Sequence, residues 1–485
     1  MVDVLLLCLP LGAGVVAAIV GWRLWVGWLC VASLATVLAT GVIASVHVVR
    51  HAPIDAWRGV LRLDALSVFM VLVIGAVGLL ATIGGVRYLD HEMSSGRCSV
   101  RHATLYAVLV QGFISAMLLA VLAANVGVMW VAIEATTIIT TFLVGHRNTR
   151  GSLEASWKYV IICSVGIAVA FLGTVLVYLA ELHVGHHVPA SLDWTSLMSV
   201  SSRLDPGVMR IAISLLVLGY GTKIGLAPMH SWLPDAHSQA PAPVSALMSG
   251  VLLSVAFYAL LRFKAIADGA LGVNFTRGLL LAVGLITLGI ATSLLIRQHD
   301  LKRMLAYSSM EHMGLLALGA AAGTPLAIAA VLLHVLGHGL AKAVLFLGAG
   351  EIVLVEGTSE IDQIKSLVAR RPALGGVVAF GLVALLGFPP FSLFLSELTM
   401  FRAETQVGLT WVVAVTLLCV LVIFASMFSH ARRMLLGARG DGPELATPGV
   451  VTIPLIGGLV ACGAIGVLAW PLTSLLHAAA HLVAP

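Results

Sequence analysis

The chain has 485 residues, of which 60% are hydrophobic and only 10% charged. Soluble domains carry roughly a quarter of their residues as charged ones, so this balance excludes a soluble globular protein of ordinary kind. A formal net charge of +5 says little about partners until the charges are placed along the chain.

In chain order, apolar segments run over 2–21, 24–47, 65–83, 103–122, 124–145, 155–180 and 208–231. Others follow at 242–262, 278–297, 303–322, 325–347, 374–400, 408–430 and 450–477. Crossing a bilayer takes about 20 apolar residues, so the prediction is an all-α polytopic membrane protein with about fourteen transmembrane helices. The first segment has no basic leader and no small-residue cleavage site, and is expected to be a retained span. Connections after odd-numbered spans hold sixteen of the 27 lysines and arginines, among them Arg87, Arg101, Arg147, Lys302, Arg371 and Arg433; even-numbered ones hold nine. Positively charged connections stay in the cytoplasm. Both termini are therefore expected on the non-cytoplasmic side of the inner (plasma) membrane.

The fifth span carries Glu134 within NVGVMWVAIEATTIITTFLVG. In the seventh, GTKIGLAPMHSWLPDAH places Lys223 in hydrocarbon, five residues before Pro228, with His230 and His237 following. A charge at membrane depth costs about 2.5–3.5 kcal/mol on insertion scales and needs a reason. Glu134 and Lys223 are of opposite sign and in the same half, and are expected to act as a pair whose proton affinity changes with separation or hydration. Residues 242–261 of the eighth span carry the hydroxyls Ser245, Ser249, Ser254 and Tyr258. The tenth holds Glu311 and His312, a second proton-handling spot or a helix entry. The eleventh, VLLHVLGHGLAKAVLF, places His334, His338 and Lys342 at i, i+4 and i+8. These drift only about 80° around the helix, which makes one stripe of proton-binding groups. A metal reading of the two histidines lacks a nearby carboxylate or thiol in sequence, so no metal is expected.

In the twelfth span, GFPPFSLFLSE interrupts the apolar run at Pro389 and Pro390, with Glu397 just beyond. Interrupted spans in corresponding places of two halves point to inverted repeats around a mid-membrane site. The expected division is 1–95 (spans 1–3), 96–264 (first five-helix unit), 275–435 (second, inverted unit) and 436–485 (span 14), with helices 7 and 12 broken. GYGTKIG lacks the Gly-Lys-Ser/Thr order of a phosphate loop and suits helix packing better. The six cysteines, Cys8, Cys30, Cys98, Cys163, Cys419 and Cys462, have no cluster spacing, so no cofactor is expected in this chain.

The stretches 221–250, DLKRMLAYSSMEHMG (300–314), HVLGHGLAKAVLF (334–346) and GFPPFSLFLSE (387–397) resemble the proton-translocating membrane subunits shared by respiratory complex I and Mrp-type cation/proton antiporters. WVAIEATT (130–137), EASWKYVIIC (154–163) and SSMEHMG (308–314) are most similar to the hydrogenase-4 component F branch. The resemblance implies fourteen helices with the two inverted units, and a proton route of Glu134, Lys223, His334, His338, Lys342 and Glu397. It also implies other membrane subunits and peripheral redox subunits as partners, with any iron–sulfur, nickel–iron or flavin group in those partners. A sodium/proton antiporter subunit and a non-pumping membrane anchor are the alternatives. Gly337 stands where relatives commonly have Asn, and the eighth span lacks their Lys or His.

Overall fold

The computed structural model describes residues 2–184, 191–437, 449–468 and 470–484. The termini Met1 and Pro485 lie outside that set, as does part of the last expected unit. The chain begins with α1 (Val2–Val20) and α2 (Leu24–Arg50), followed by a hairpin of β1 (Ile54–Ala56) and β2 (Leu61–Leu63) in which Ile54 pairs with Leu63. This hairpin is a small departure from the all-α expectation. Leu61 and Leu63 alternate inward against the bundle, which suits a strand.

Next come α3 (Ala65–Ser94), α4 (Val100–Leu122), α5 (Val126–Val144), α6 (Arg150–Leu182) and the short α7 (Trp194–Val200). The seventh expected span is α8 (Pro206–Ile224), then a break, then α9 (Trp232–Gln239). The eighth is α10 (Ala242–Leu247), a π turn over Met248–Leu252, and α11 (Leu253–Leu271), continuous over Ala242–Leu271. Then follow α12 (Val273–Leu295), α13 (Leu301–Ala322), α14 (Pro325–Glu356), α15 (Leu367–Arg370), α16 (Pro372–Leu385), α17 (Ser392–Gln406), α18 (Thr410–Leu435), α19 (Gly449–Val467) and α20 (Trp470–His481). Among the described residues, ten helices are long and apolar enough to cross a membrane. Helix α13 is not one of them, because Lys302, Arg303, Glu311 and His312 lower its hydropathy, yet it is buried almost throughout.

Short polar residues start these helices as capping chemistry requires. Asp64, Ser99, Asn125, Thr149, Asp205, Asp300 and Thr324 each accept a hydrogen bond from a backbone N–H of the first turn. Gly225, at φ +86°, ends α8; its amide bonds back to Thr222 O and that of Leu226 to Gly221 O. A Cβ there would meet Leu233 Cδ1 at 2.2 Å, so the break at Pro228 follows a glycine that both the left-handed backbone and the packing require.

Helix α14 runs through the centre, with α13 and α17 beside it and α10–α11 crossing it closely. Gly250 and Gly339 make that crossing possible: a Cβ on either would stand 3.0 or 2.9 Å from the other's carbonyl oxygen. Connections of equal parity meet at each end of the bundle. Asp235 joins Lys158 (3.2 Å) and Arg303 (2.9 Å), and Asp362 joins Arg433 (2.5 Å), all beside odd-numbered connections. At the other end Asp64 pairs with Arg262 (2.7 Å) and Asn125 bridges Asp193.

The α6–α8 contact gives a direct test of this packing. A Cβ on Gly219 would stand 2.5 Å from Ala170 N and 2.7 Å from Gly166 O. Gly219→Ala is expected to push the two helices apart at a cost of about 1–3 kcal/mol. It should lower the chain's abundance in membranes at growth temperature. Wild-type abundance and thermal stability would contradict this packing.

Candidate functional site

The buried charges form one row across the centre of the bundle. At one end is Glu134 of α5, half-buried on a stripe with exposed Val131 and Ile138. Its Oε1 accepts a hydrogen bond of 3.0 Å from Ser164 of α6, while Oε2 has no protein partner. Lys223, in the last turn of α8, is fully buried. Its ammonium donates to Thr137 Oγ1 (2.7 Å) and Tyr159 Oη (2.8 Å), and Tyr159 in turn shares a 2.5 Å hydrogen bond with Thr140. The Lys223 Nζ also lies 5.0 Å from the Tyr159 ring centre. Among the described residues no ion pair within 4.0 Å joins Lys223 to Glu134. Hydroxyls on α5 and α6 stand between the two charges.

The break after α8 is tied to α12 and back to α8 itself. Ala227 N donates to Thr287 of α12 (2.9 Å), and Trp232 Nε1 donates to Thr222 O (2.8 Å). The ring of Trp232 meets Tyr159 edge-on at 5.0 Å and lies 6.0 Å from His237. His237 is fully buried, both of its ring nitrogens lack a protein partner, and its other flank is Phe346 of α14 at 5.8 Å. Phe346 sits one turn beyond Lys342. His237 thus lies between Trp232 and Phe346; the eighth span, expected to lack a Lys or His, continues to Leu271 and carries Lys264 near its end, buried and paired with Asp268 at 2.5 Å. His230 is half-buried near Pro228 and is not brought into the row's hydrogen bonds.

Lys342, also fully buried, donates to Leu305 O (2.7 Å) and to Ser308 Oγ, both on α13. Ser249, in the π turn of the eighth span, bonds Ser309 at 2.7 Å. His312 and His334 share a 3.0 Å hydrogen bond between Nδ1 and Nε2, and His334 Nδ1 bonds Ser396 Oγ of α17 at 3.0 Å. His338 stacks near both, its ring centre 5.1 Å from that of His312, with neither nitrogen partnered. Glu311 is buried one residue before His312. Glu397 ends the row, half-buried on α17 against Gly387 of the second break. Pro389 and Pro390 lie in that break, between α16 and α17, and are exposed.

Two further readings change. Lys302, expected in an odd-numbered connection, is 5% exposed and donates to Ser238 O (2.7 Å) and Ala240 O (2.5 Å) at the end of α9. A cation at a helix C-terminus is favourable, and here it fixes the short half-helix. The carboxylate that a metal reading lacked in sequence is supplied by the fold, because Glu397 arrives beside His312 and His334. Sequence reasoning missed Thr137, Tyr159, Ser164, Ser308 and Ser396. A tyrosine in mid-span was the only available signal, since hydroxyls in membrane helices commonly satisfy their own carbonyls. Gly337 also finds a local reason: a Cβ there would meet Ser392 Oγ at 2.4 Å.

This arrangement can hold and pass protons between neighbouring groups. A half-buried carboxylate stands at each end, and ammonium, hydroxyl and imidazole groups lie between.

Known proteins share this sequence and this shape. Residues 123–423 match the family described as NADH:quinone oxidoreductase/Mrp antiporter, transmembrane. A hydrogenase-4 component F homolog from Methylacidiphilum infernorum is 39% identical over 334 residues, covering 69% of this chain and 70% of that protein. In the membrane-bound sulfane sulfur reductase, an archaeal respiratory membrane complex, one chain superposes with a TM-score of 0.88 at 24% identity, over 100% of this chain and 98% of that one. A chain of respiratory complex I from Thermus thermophilus gives 0.83 at 21% identity, over 100% and 99%. With the charged row, the broken α8–α9 and α16–α17 elements and these likenesses together, the chain belongs to the NADH:quinone oxidoreductase/Mrp antiporter family of multi-pass membrane proteins.

Proposed function

We propose that this chain is a proton-translocating membrane subunit of a redox-driven complex of hydrogenase-4 or NADH:quinone oxidoreductase type. The observation that carries this reading is the row from Glu134 through Lys223, His237, Lys342, His338, His312 and His334 to Glu397. Lys223, His237, His334, His338 and Lys342 are fully buried, which a mere anchor does not require. The route has two parts. In the first, Lys223 exchanges a proton with Glu134 through Tyr159, Thr137 and Ser164. In the second, Lys342 and the three histidines pass it toward Glu397, with His237 and the Ser249–Ser309 pair between the parts. An ammonium held by hydroxyls can release its proton more readily than one locked against a carboxylate.

The fold reading that goes with this is fourteen spans, with five-helix units at 96–264 and 275–435, 1–95 before them and 436–485 after. Support comes from the two broken elements, five spans apart, and from the equal-parity contacts at each end. The distribution of Lys and Arg supports an inner-membrane protein with both termini outside. A reporter fused after Pro485 is expected to be active only on the non-cytoplasmic side; a cytoplasmic C-terminus would imply an odd number of spans and break the unit assignment.

Partners follow from Glu134. A carboxylate on a lipid-facing stripe is costly, so a neighbouring protein is expected to cover that face. Electron-transfer groups would sit in other subunits. Purification in mild detergent should bring down further membrane subunits together with a redox subunit containing metal or flavin. Isolation of the chain alone, stable and active in ion exchange, would overturn the redox-driven reading. The Mrp half of the family description favours a second reading, a subunit of a multi-subunit sodium/proton antiporter, for which small antiporter subunits would co-purify instead.

A further inference from the structure

Three helices deliver ligand atoms to one place at the end of the row. His312 of α13, His334 of α14 and Glu397 of α17 each offer one atom, and these atoms all lie within 4.8 Å of one another. We propose that these three side chains form a binding site for a first-row divalent cation of the zinc class. The donor set fits such an ion: two imidazoles and a carboxylate leave a fourth position open, the usual arrangement of an accessible zinc site. Imidazole donors also disfavour magnesium and calcium, which take oxygen shells.

The surroundings are arranged for ligation. His312 Nδ1 and His334 Nε2 are 3.0 Å apart. Two ligands at about 2.0–2.1 Å on tetrahedral directions stand about 3.3–3.4 Å apart, so the rings need to part by only a few tenths of an ångström. The second nitrogen of His334 bonds Ser396 Oγ at 3.0 Å, an outer contact that holds the ring with Nε2 turned toward His312. Gly387 leaves room for the carboxylate, since a Cβ there would stand 2.6 Å from Glu397 Oε2. Lys342 does not compete, because its ammonium is tied to Leu305 O and Ser308. His338, with both nitrogens unpartnered, has its ring 5.1 Å from that of His312 and 6.5 Å from that of His334. On binding, the proton between the two rings leaves His312 Nδ1 and His312 takes one up at Nε2, so both imidazoles stay neutral and ligate through their facing nitrogens.

The test reads metal content, so it stands whether or not the row conducts protons. The purified complex is incubated with micromolar zinc, passed through a desalting column and assayed for zinc and by X-ray absorption. The expected result is about one zinc held at this chain, in a nitrogen/oxygen shell at about 2.0–2.2 Å. His312→Gln and Glu397→Gln should each lose it. Ser396→Ala should weaken it by roughly 10–100-fold, as loss of an outer contact to a ligating histidine does. His237→Gln, in the other half, should retain it. No retained zinc in the wild-type complex, or equal retention in assembled His312→Gln and Glu397→Gln, would overturn the proposal.

Discussion

Lys223→Ala is expected to abolish redox-driven proton uptake while the complex still assembles. The ammonium is fully buried and held by Thr137 and Tyr159 rather than by a carboxylate. Its removal leaves no unpaired buried charge behind. Tyr159 keeps Thr140 as a partner, and the small cavity that Ala leaves is a modest loss in a bundle of this size. Transport, by contrast, loses the group that would take and release the proton. Lys223→Arg should fail as well, because guanidinium stays charged at physiological pH and its fork does not fit two hydroxyls placed for an ammonium. Proton uptake and membrane abundance are measured side by side. An assembled Lys223→Arg variant with normal uptake would reduce Lys223 to a strut.

Arg262→Ala should have the opposite profile, with loss of the folded chain itself. Arg262 is 2% exposed and its guanidinium reaches both oxygens of Asp64 at 2.8 and 2.7 Å, Ser67 Oγ at 3.1 Å and Tyr258 Oη at 3.1 Å. It also stacks on Trp194 at 4.0 Å. Asp64 is 1% exposed and caps α3, so removing its partner leaves a buried carboxylate uncompensated. Breaking such a pair costs about 3–5 kcal/mol. The variant should be scarce in membranes, and the replacement of both partners, Asp64→Asn with Arg262→Leu, should recover part of the abundance. Wild-type levels of Arg262→Ala would contradict this account of the even-numbered end. One buried charge thus holds the bundle and the other works within it; the difference lies in whether a carboxylate is in contact.

The fold was legible where hydrophobic length and polar interruptions speak for themselves. The breaks at Pro228 and at Pro389–Pro390 fell where the helices end, and His334, His338 and Lys342 are all buried in α14, which is enclosed on every side along this stretch. What stayed hidden were contacts between segments far apart in sequence. Nothing local to Glu134 and Lys223 says that Tyr159 and Thr137 would hold the ammonium. Lys302 read as a cytoplasmic cation because a basic turn beside a span commonly is one, and only the docking of α9 shows what its ammonium holds. Likewise Glu397 stands 63 positions beyond His334, so its arrival beside the histidines depends on how α17 returns after its break. His237 was visible as a histidine but not as the group lying between Trp232 and Phe346.

The central claim, that this chain moves protons within a redox-driven complex, is tested most directly in inverted membrane vesicles. Electron donors, hydrogen and NADH in turn, are supplied in sodium-free buffer, and acidification of the vesicle interior is followed with a pH-sensitive dye. The account predicts donor-driven acidification that persists without sodium and is lost with Lys223→Ala at unchanged abundance. Acidification that requires an imposed sodium gradient and ignores every electron donor would contradict it and leave the antiporter reading in its place.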